Sequence, residues 1–253
     1  MKSIFVFATL LATSVIVAQP VKSDVYTWKN LPVEKRETSE RRQILEGNGP
    51  VMSDLEIHAT TIEPGKAAHP SHKHIEEELL IVKEGMLKVT INNKSQVLGP
   101  GSIAFSVSGD EHYAENAGTT NATYYVIKFR SKDTANIKRA KDAGGSFMIN
   151  WNDIAFNPHD KGGIRKYIER PTAMINRFEM HVTTLKTGLK SHDPHTHKAE
   201  EIVLMIEGNA EMQIGDDHKK ATTGDLIYLG SNVSHAISND DTKPIMYFAF
   251  QWD

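Results

Sequence analysis

The chain is 253 residues long, 39% hydrophobic and 24% charged, enough to bury one or two cores. Its 29 basic and 32 acidic residues leave a net charge of −3 with the basic ones scattered, which argues against a nucleic-acid surface. There is no cysteine, so neither a disulfide framework nor a lipoprotein anchor is available.

Residues 1–18 read as a signal peptide. Lys2 supplies the positive start, "IFVFATLLATSVIVA" the apolar run, and Ala18-Gln19 a cleavage point. The run is short for a spanning helix and lacks a basic stop-transfer flank, so the mature protein is expected to be exported, with no membrane contact after cleavage. "KRETSERR" at 35–42 interleaves acids with bases and reads as a solvated face. Short apolar or alternating runs follow: "MLKVTIN", "SIAFSV" and "YYVIKF". Residues 131–150, "SKDTANIKRAKDAGGSFMIN", are polar, contain glycine and lack a clear pattern, which marks them as a linker. Beyond it come "NAEMQIG", "DLIYLG" and "MYFAFQW". Strands at this spacing, with no convincing amphipathic helix, predict an all-β barrel or sandwich.

The chain also aligns with itself, without gaps, at the 123-residue separation of Trp28 from Trp151. Arg42 falls on Arg165, "EIHATT" at 56–61 on "EMHVTT" at 179–184, and Gly85 on Gly208. Of the twelve histidines, ten form five pairs: 58/181, 69/192, 72/195, 74/197 and 112/235. Two units, residues 28–130 and 151–253, are therefore expected to share one fold.

In a strand, residues i and i+2 share a face, so His72 and His74 point the same way, as do His195 and His197. Glu78 and Glu201 follow four residues later, and His112 and His235 much further on. Three neutral imidazoles and one carboxylate in each half predict a divalent transition metal in each, with two shell positions left for substrate, water or dioxygen. Iron or manganese suits the mixed nitrogen and oxygen donors best; zinc, nickel and copper fit by ligand type.

Both units resemble cupin domains, so the chain is similar to a bicupin with two tandem jelly-roll barrels. The first cupin motif is matched by "GKAAHPSHKHIEEELLIVKEG" and "GLKSHDPHTHKAEEIVLMIEG", with one extra residue between the leading glycine and the first histidine. The second is matched by "GSIAFSVSGDEHYAEN" and "GDLIYLGSNVSHAISN". There Val107 and Gly230 replace a usual proline and Asn232 a usual glycine, departures that bear on loop shape and not on ligands.

The resemblance implies a metal-dependent enzyme acting on a small oxygen-rich substrate: a hydroxy-acid, a sugar derivative or a polyphenol. The chemistry it implies is that of a dioxygenase, decarboxylase or isomerase. A hydrolase like ureidoglycine aminohydrolase, and a non-catalytic exported sugar- or metal-binding bicupin, are the alternatives. It also leaves room for a homodimer. A purely structural cupin would be expected to have lost ligands in one half, and neither half has.

Several further positions repeat. Arg42 and Arg165 are candidate catalytic residues, as bidentate clamps for a substrate carboxylate. His69 and His192, three residues before the first ligand, are open between ligand, proton shuttle and loop residue. Glu56/His58 and Glu179/His181 are expected to point outward, and Glu77 and Glu200 to face away from the neighbouring ligand glutamates. Asp110, Glu111 and Glu115 make the first rim more acidic than the second, so the two metals are expected to differ in affinity and only one site to turn over.

Overall fold

The computed structural model describes residues 19–253, and the signal-peptide assignment to 1–18 lies outside the described residues. Two large and two small antiparallel sheets build two barrels, one per repeat. In the N-terminal barrel, strands Ile103–Ser106, Glu77–Glu84, Ala122–Ser131, Met52–Ile62, Ser39–Gly47 and Val33–Lys35 lie side by side. They face a small sheet of Lys94–Leu98, Leu87–Ile91 and His112–Asn116. The C-terminal barrel repeats this order with Leu226–Leu229, Glu200–Glu207, Ile245–Trp252, Phe178–Leu185, Gly162–Arg170 and Asn157–His159, facing Asp217–Thr222, Asn209–Ile214 and His235–Asn239.

Each large sheet gains a seventh strand from the other half. Asp24–Tyr26 pairs with Leu226–Tyr228 of the C-terminal barrel, and Phe147–Ile149 pairs with Ile103–Phe105 of the N-terminal one. The expected linker is thus not structureless: it holds this strand and a short helix, Ile137–Asp142. The Asn136 side chain caps that helix by accepting from the Arg139 amide at 2.9 Å. Arg139 in turn donates to the carbonyls of Thr172 and Ala173 in the other half, which locks the segment down. A pattern of three strand residues is too short to be read by periodicity alone.

The large sheets are buried on both faces, which explains runs such as "LLIVK" and "IVLMI". Along Glu77–Glu84, Leu79 and Ile81 enter a core shared by the two halves, while Leu80 and Val82 enter the N-terminal barrel. Along Glu200–Glu207, Ile202 and Leu204 join the shared core, and Val203 and Met205 the C-terminal barrel. The shared core also takes Phe105, Phe178, Phe250 and Trp252, so the halves pack sheet against sheet.

Candidate metal centres

The alternation that sends Leu79 outward sends Glu78 inward. Glu78 is buried, and opposite it on the small sheet is His112, also buried. His72 is held to His112 by a reciprocal backbone pair: the His72 amide donates to the His112 carbonyl at 3.1 Å, and the His112 amide returns a bond at 2.9 Å. The Gly109 amide donates to the His74 carbonyl at 2.8 Å, so the turn before His112 positions the second histidine. In the C-terminal barrel Asn232 makes the same bond to His197 at 2.8 Å. Gly109 and Asn232 have φ of 81° and 61°, the left-handed region, which asparagine tolerates better than most side chains. The glycine-to-asparagine departure therefore leaves the turn intact.

The ligand atoms of His72, His74 and His112 lie within 4.8 Å of one another, as do those of His195, His197 and His235. Glu78 stands 3.3 Å from His74 Nε2 and 3.4 Å from His112 Nε2. Glu201 stands 3.1 Å from His197 Nε2 and 3.3 Å from His235 Nε2. All eight expected ligands are thus brought together, four in each barrel.

The donor set fits a cation. His112 Nδ1 lies 3.0 Å from the Asp110 carbonyl and His235 Nδ1 2.9 Å from that of Val233. A carbonyl only accepts, so Nδ1 carries the hydrogen and Nε2 presents a lone pair. His74 and His197 are oriented likewise by the carbonyls of Glu76 and Ala199. The Nε2 atoms of His112 and His235 are buried and make no hydrogen bond. Burial would raise the Glu78 carboxyl, but His112 and His74 outweigh it and hold it well below the usual carboxylate range. Glu201 is likewise brought down to about 2 by His197 and His235 against the opposing effect of burial. A lone pair facing an ionised carboxylate repels it unless a positive charge stands between, and a metal ion meets that need without protonating a ligand.

Burial, then the neighbouring imidazoles, lowers the His72 ring to about 4, and the same causes lower His195. Burial also depresses His112, yet the Glu78 carboxylate, 3.4 Å from its Nε2, more than offsets it and the net shift is upward. His69 and His192 meet His72 and His195 edge-on, with ring centroids 4.3 and 4.2 Å apart, and each bonds a carbonyl in its own loop through Nδ1.

Two expectations are corrected. Arg42 lies over the Trp28 ring at 5.1 Å and Arg165 over Trp151 at 4.6 Å, and neither lines the cavity at His72, His74 and His112. Both face away from the barrel interior, because Arg42 pairs with Ala59 and Arg165 with Val182, and both partners' side chains enter the shared core. Second, Glu56 and His58 point inward. His58 lines the N-terminal cavity, of about 200 Å³, and Glu56 binds Arg41 and Lys128, which line the same cavity. Glu77 and Glu200 do face away, as expected: Glu77 bonds Thr172, Ala173 and Met174, and Glu200 bonds Val51 and Tyr228. The acidic rim is tied up, with Asp110 held by Ser146, Glu111 by Ser71 and Glu115 by Lys88.

Arg36, Arg41 and Lys128 are the permanent cations of the cavity that sequence reasoning missed, the first two standing in the run read as a solvated face. Lys128, a lone charge within "YYVIKF", was the available signal. No helix among the described residues is long and apolar enough to cross a membrane.

Comparison with known proteins agrees with this geometry. The Cupin domain family matches residues 58–128 and 181–250, more than half of the chain. None of the curated proteins matches it by sequence. Among solved structures, a putative glyoxylate-induced protein from Pseudomonas aeruginosa superposes with TM-score 0.73 at 15% identity, covering 100% of this chain and 97% of that one. AerE from Microcystis aeruginosa gives 0.68 at 16%, covering 88% and 97%. An oxalate decarboxylase from Lactobacillus farciminis, solved as a formate complex, gives 0.69 at 12%, covering 91% and 86%. Identities this low establish the tandem barrel fold and nothing finer.

Proposed function

Because the chain belongs to the cupin family, with one cupin domain in each half, we propose that it is a metal-dependent bicupin enzyme acting on a small oxygen-rich molecule. Hydroxy-acids, sugar derivatives and polyphenols are the substrate classes in view, and dioxygenase, decarboxylase or isomerase the reaction types. His72, His74, Glu78 and His112 would hold one divalent transition metal, and His195, His197, Glu201 and His235 a second. The leading segment at 1–18 supports export.

The observation that carries the reading is the pair of buried imidazole lone pairs, on His112 and His235, each turned toward an ionised carboxylate. A metal bound there supplies Lewis acidity to an oxygen of the substrate or of water. The chain's own residues do the rest. Backbone carbonyls fix the tautomers of His74, His112, His197 and His235, and Glu78 and Glu201 contribute one negative charge per centre.

Elemental analysis of the purified protein tests the proposal. Two equivalents of iron or manganese per chain support oxygenase or decarboxylase chemistry, and zinc favours an isomerase or hydrolase. Protein that retains no metal after incubation with each of these ions would overturn it.

A further inference from the structure

The two barrels keep the same ligands but differ in charge beside them. In the N-terminal barrel Lys128 stands on a strand between Glu78 and Glu56, directly paired with both. Its Nζ lies 2.9 Å from Glu56 Oε2, while Arg41 Nη2 donates to Glu56 Oε1 at 2.5 Å and His58 Nδ1 lies 3.0 Å from that same oxygen. Two fixed cations thus share one carboxylate, and both line the cavity at the ligand histidines. Arg36 reaches the same cavity, its own charge paired with Glu34 at 3.1 Å.

The repeat makes the comparison internal. At the offset of 123, Arg41 corresponds to Ile164, Lys128 to Gln251 and Arg36 to His159. The carboxylate is kept: Glu179 is bound by His181 at 2.8 Å and by Gln251 at 3.3 Å. Beside its ligands the C-terminal barrel therefore carries a carboxylate whose partners are an imidazole and an amide in place of two permanent cations.

We infer that the N-terminal barrel is the substrate-binding half and that it takes a small carboxylate-bearing anion, held by Arg41 and Lys128. The inference deepens the proposed function and rests on it for the metal alongside. A partly buried carboxylate needs charged donors to replace its hydration, and a guanidinium beside an ammonium supplies them. Glu56 holds both cations in place with donors to spare, since a guanidinium carries five N–H groups. A cavity of about 200 Å³ is small for a drug-sized ligand and suits an acid of a few carbons. In the C-terminal barrel the same anion would meet Glu179 with no permanent cation at the matching positions, which repels it.

Calorimetric titration of metal-loaded protein with malonate, against xylose as a neutral control, tests this. The expected result is one malonate per chain, with affinity that falls as salt rises. The double variant R41I/K128Q installs residues that the C-terminal barrel already accommodates around Glu179. It should weaken malonate about tenfold or more, the range of a charged hydrogen bond, while keeping both metals. The converse variant I164R/Q251K should gain a second malonate. Unchanged affinity in R41I/K128Q, or wild-type binding insensitive to salt, overturns the inference; the salt series needs no variant, so it stands if the variants fail to fold. Metal content measured on the same samples separates the two readings. Two metals with no malonate bound sinks this inference alone, whereas malonate held at full affinity by protein that retains no metal sinks the proposed function alone.

Discussion

Glu77 accepts a hydrogen bond from the backbone amide of Met174 at 3.0 Å, across the seam between the two halves. The same carboxylate takes the Ala173 amide at 2.8 Å and the Thr172 hydroxyl at 2.5 Å. Its repeat mate Glu200 makes the mirrored reach, to the Val51 amide at 3.2 Å. It passes so close to Gly49 that any side chain there would collide with its carboxylate.

Replacing Glu77 with leucine leaves the buried Ala173 amide and the Thr172 hydroxyl without their acceptor, while the Met174 amide keeps the Thr172 hydroxyl oxygen at 3.2 Å. At about 1–3 kcal/mol for each buried group left unpaired, the loss in unfolding free energy should reach about 2 kcal/mol or more. Urea denaturation measures it. A loss below about 1 kcal/mol would show that water replaces the carboxylate.

Asp225 gives a second seam test. Buried, it accepts the Trp28 amide at 2.8 Å and the Thr222 amide at the same distance, which ties the N-terminal segment to the C-terminal barrel. Asp225→Ala should cost about 2–3 kcal/mol. Hydrogen exchange should place the extra opening at Asp24–Tyr26 and Leu226–Leu229, and uniform loosening of both barrels would contradict this account.

The ligand sets should be separable. His72→Ala should remove one metal equivalent and most of the turnover, and His195→Ala one metal equivalent with turnover largely kept. Elemental analysis beside a steady-state assay reads both. Equal partial losses of turnover would count against a single working site.

Metal affinity should rise with pH. In the metal-free protein the His112 pKa is raised, despite burial, by Glu78, and that of His197 is raised first by its bond to Glu201. Protons on these rings contribute stability below the ordinary value of 6.5 that is lost as pH climbs through the raised values. A metal must displace those protons, so binding tightens over that same window and releases protons, which calorimetry in buffers of different ionisation enthalpy detects. At the acid end, Glu201 contributes stability present above 4.5 and lost as pH falls toward about 2. Metal-free protein should weaken across that interval in acid titrations followed by circular dichroism, and a flat profile there would contradict the assignment.

The duplicated barrel and the convergence of its eight candidate ligands were legible because they rest on spacing. Offset repeats and i, i+2 pairs survive translation into strands unchanged. Facing was not legible. Arg41 and Arg42 are neighbours, so alternation alone sends one inward without saying which. The choice rests on register, Arg41 opposite Thr60 and Arg42 opposite Ala59. Glu56 and His58 posed the same difficulty, since a buried ion network gives an inner face the polar look of an outer one. Phe147–Ile149 was hidden for another reason: its partner lies in the preceding repeat, where no local pattern can point.

The exchange of edge strands constrains how the chain can assemble. Asp24–Tyr26 is made long before its partner and has no place in a sheet until Leu226–Tyr228 follows, some 200 residues later. The N-terminal barrel, too, stays one strand short until Phe147–Ile149 appears. Nascent protein must therefore carry Asp24–Tyr26 unpaired through most of its synthesis, and separating the repeats would leave the sheet edges at Ile103–Ser106 and Leu226–Leu229 open. The duplication has produced two barrels that finish each other, so ancestral half-length chains of this design would have needed to pair to become complete.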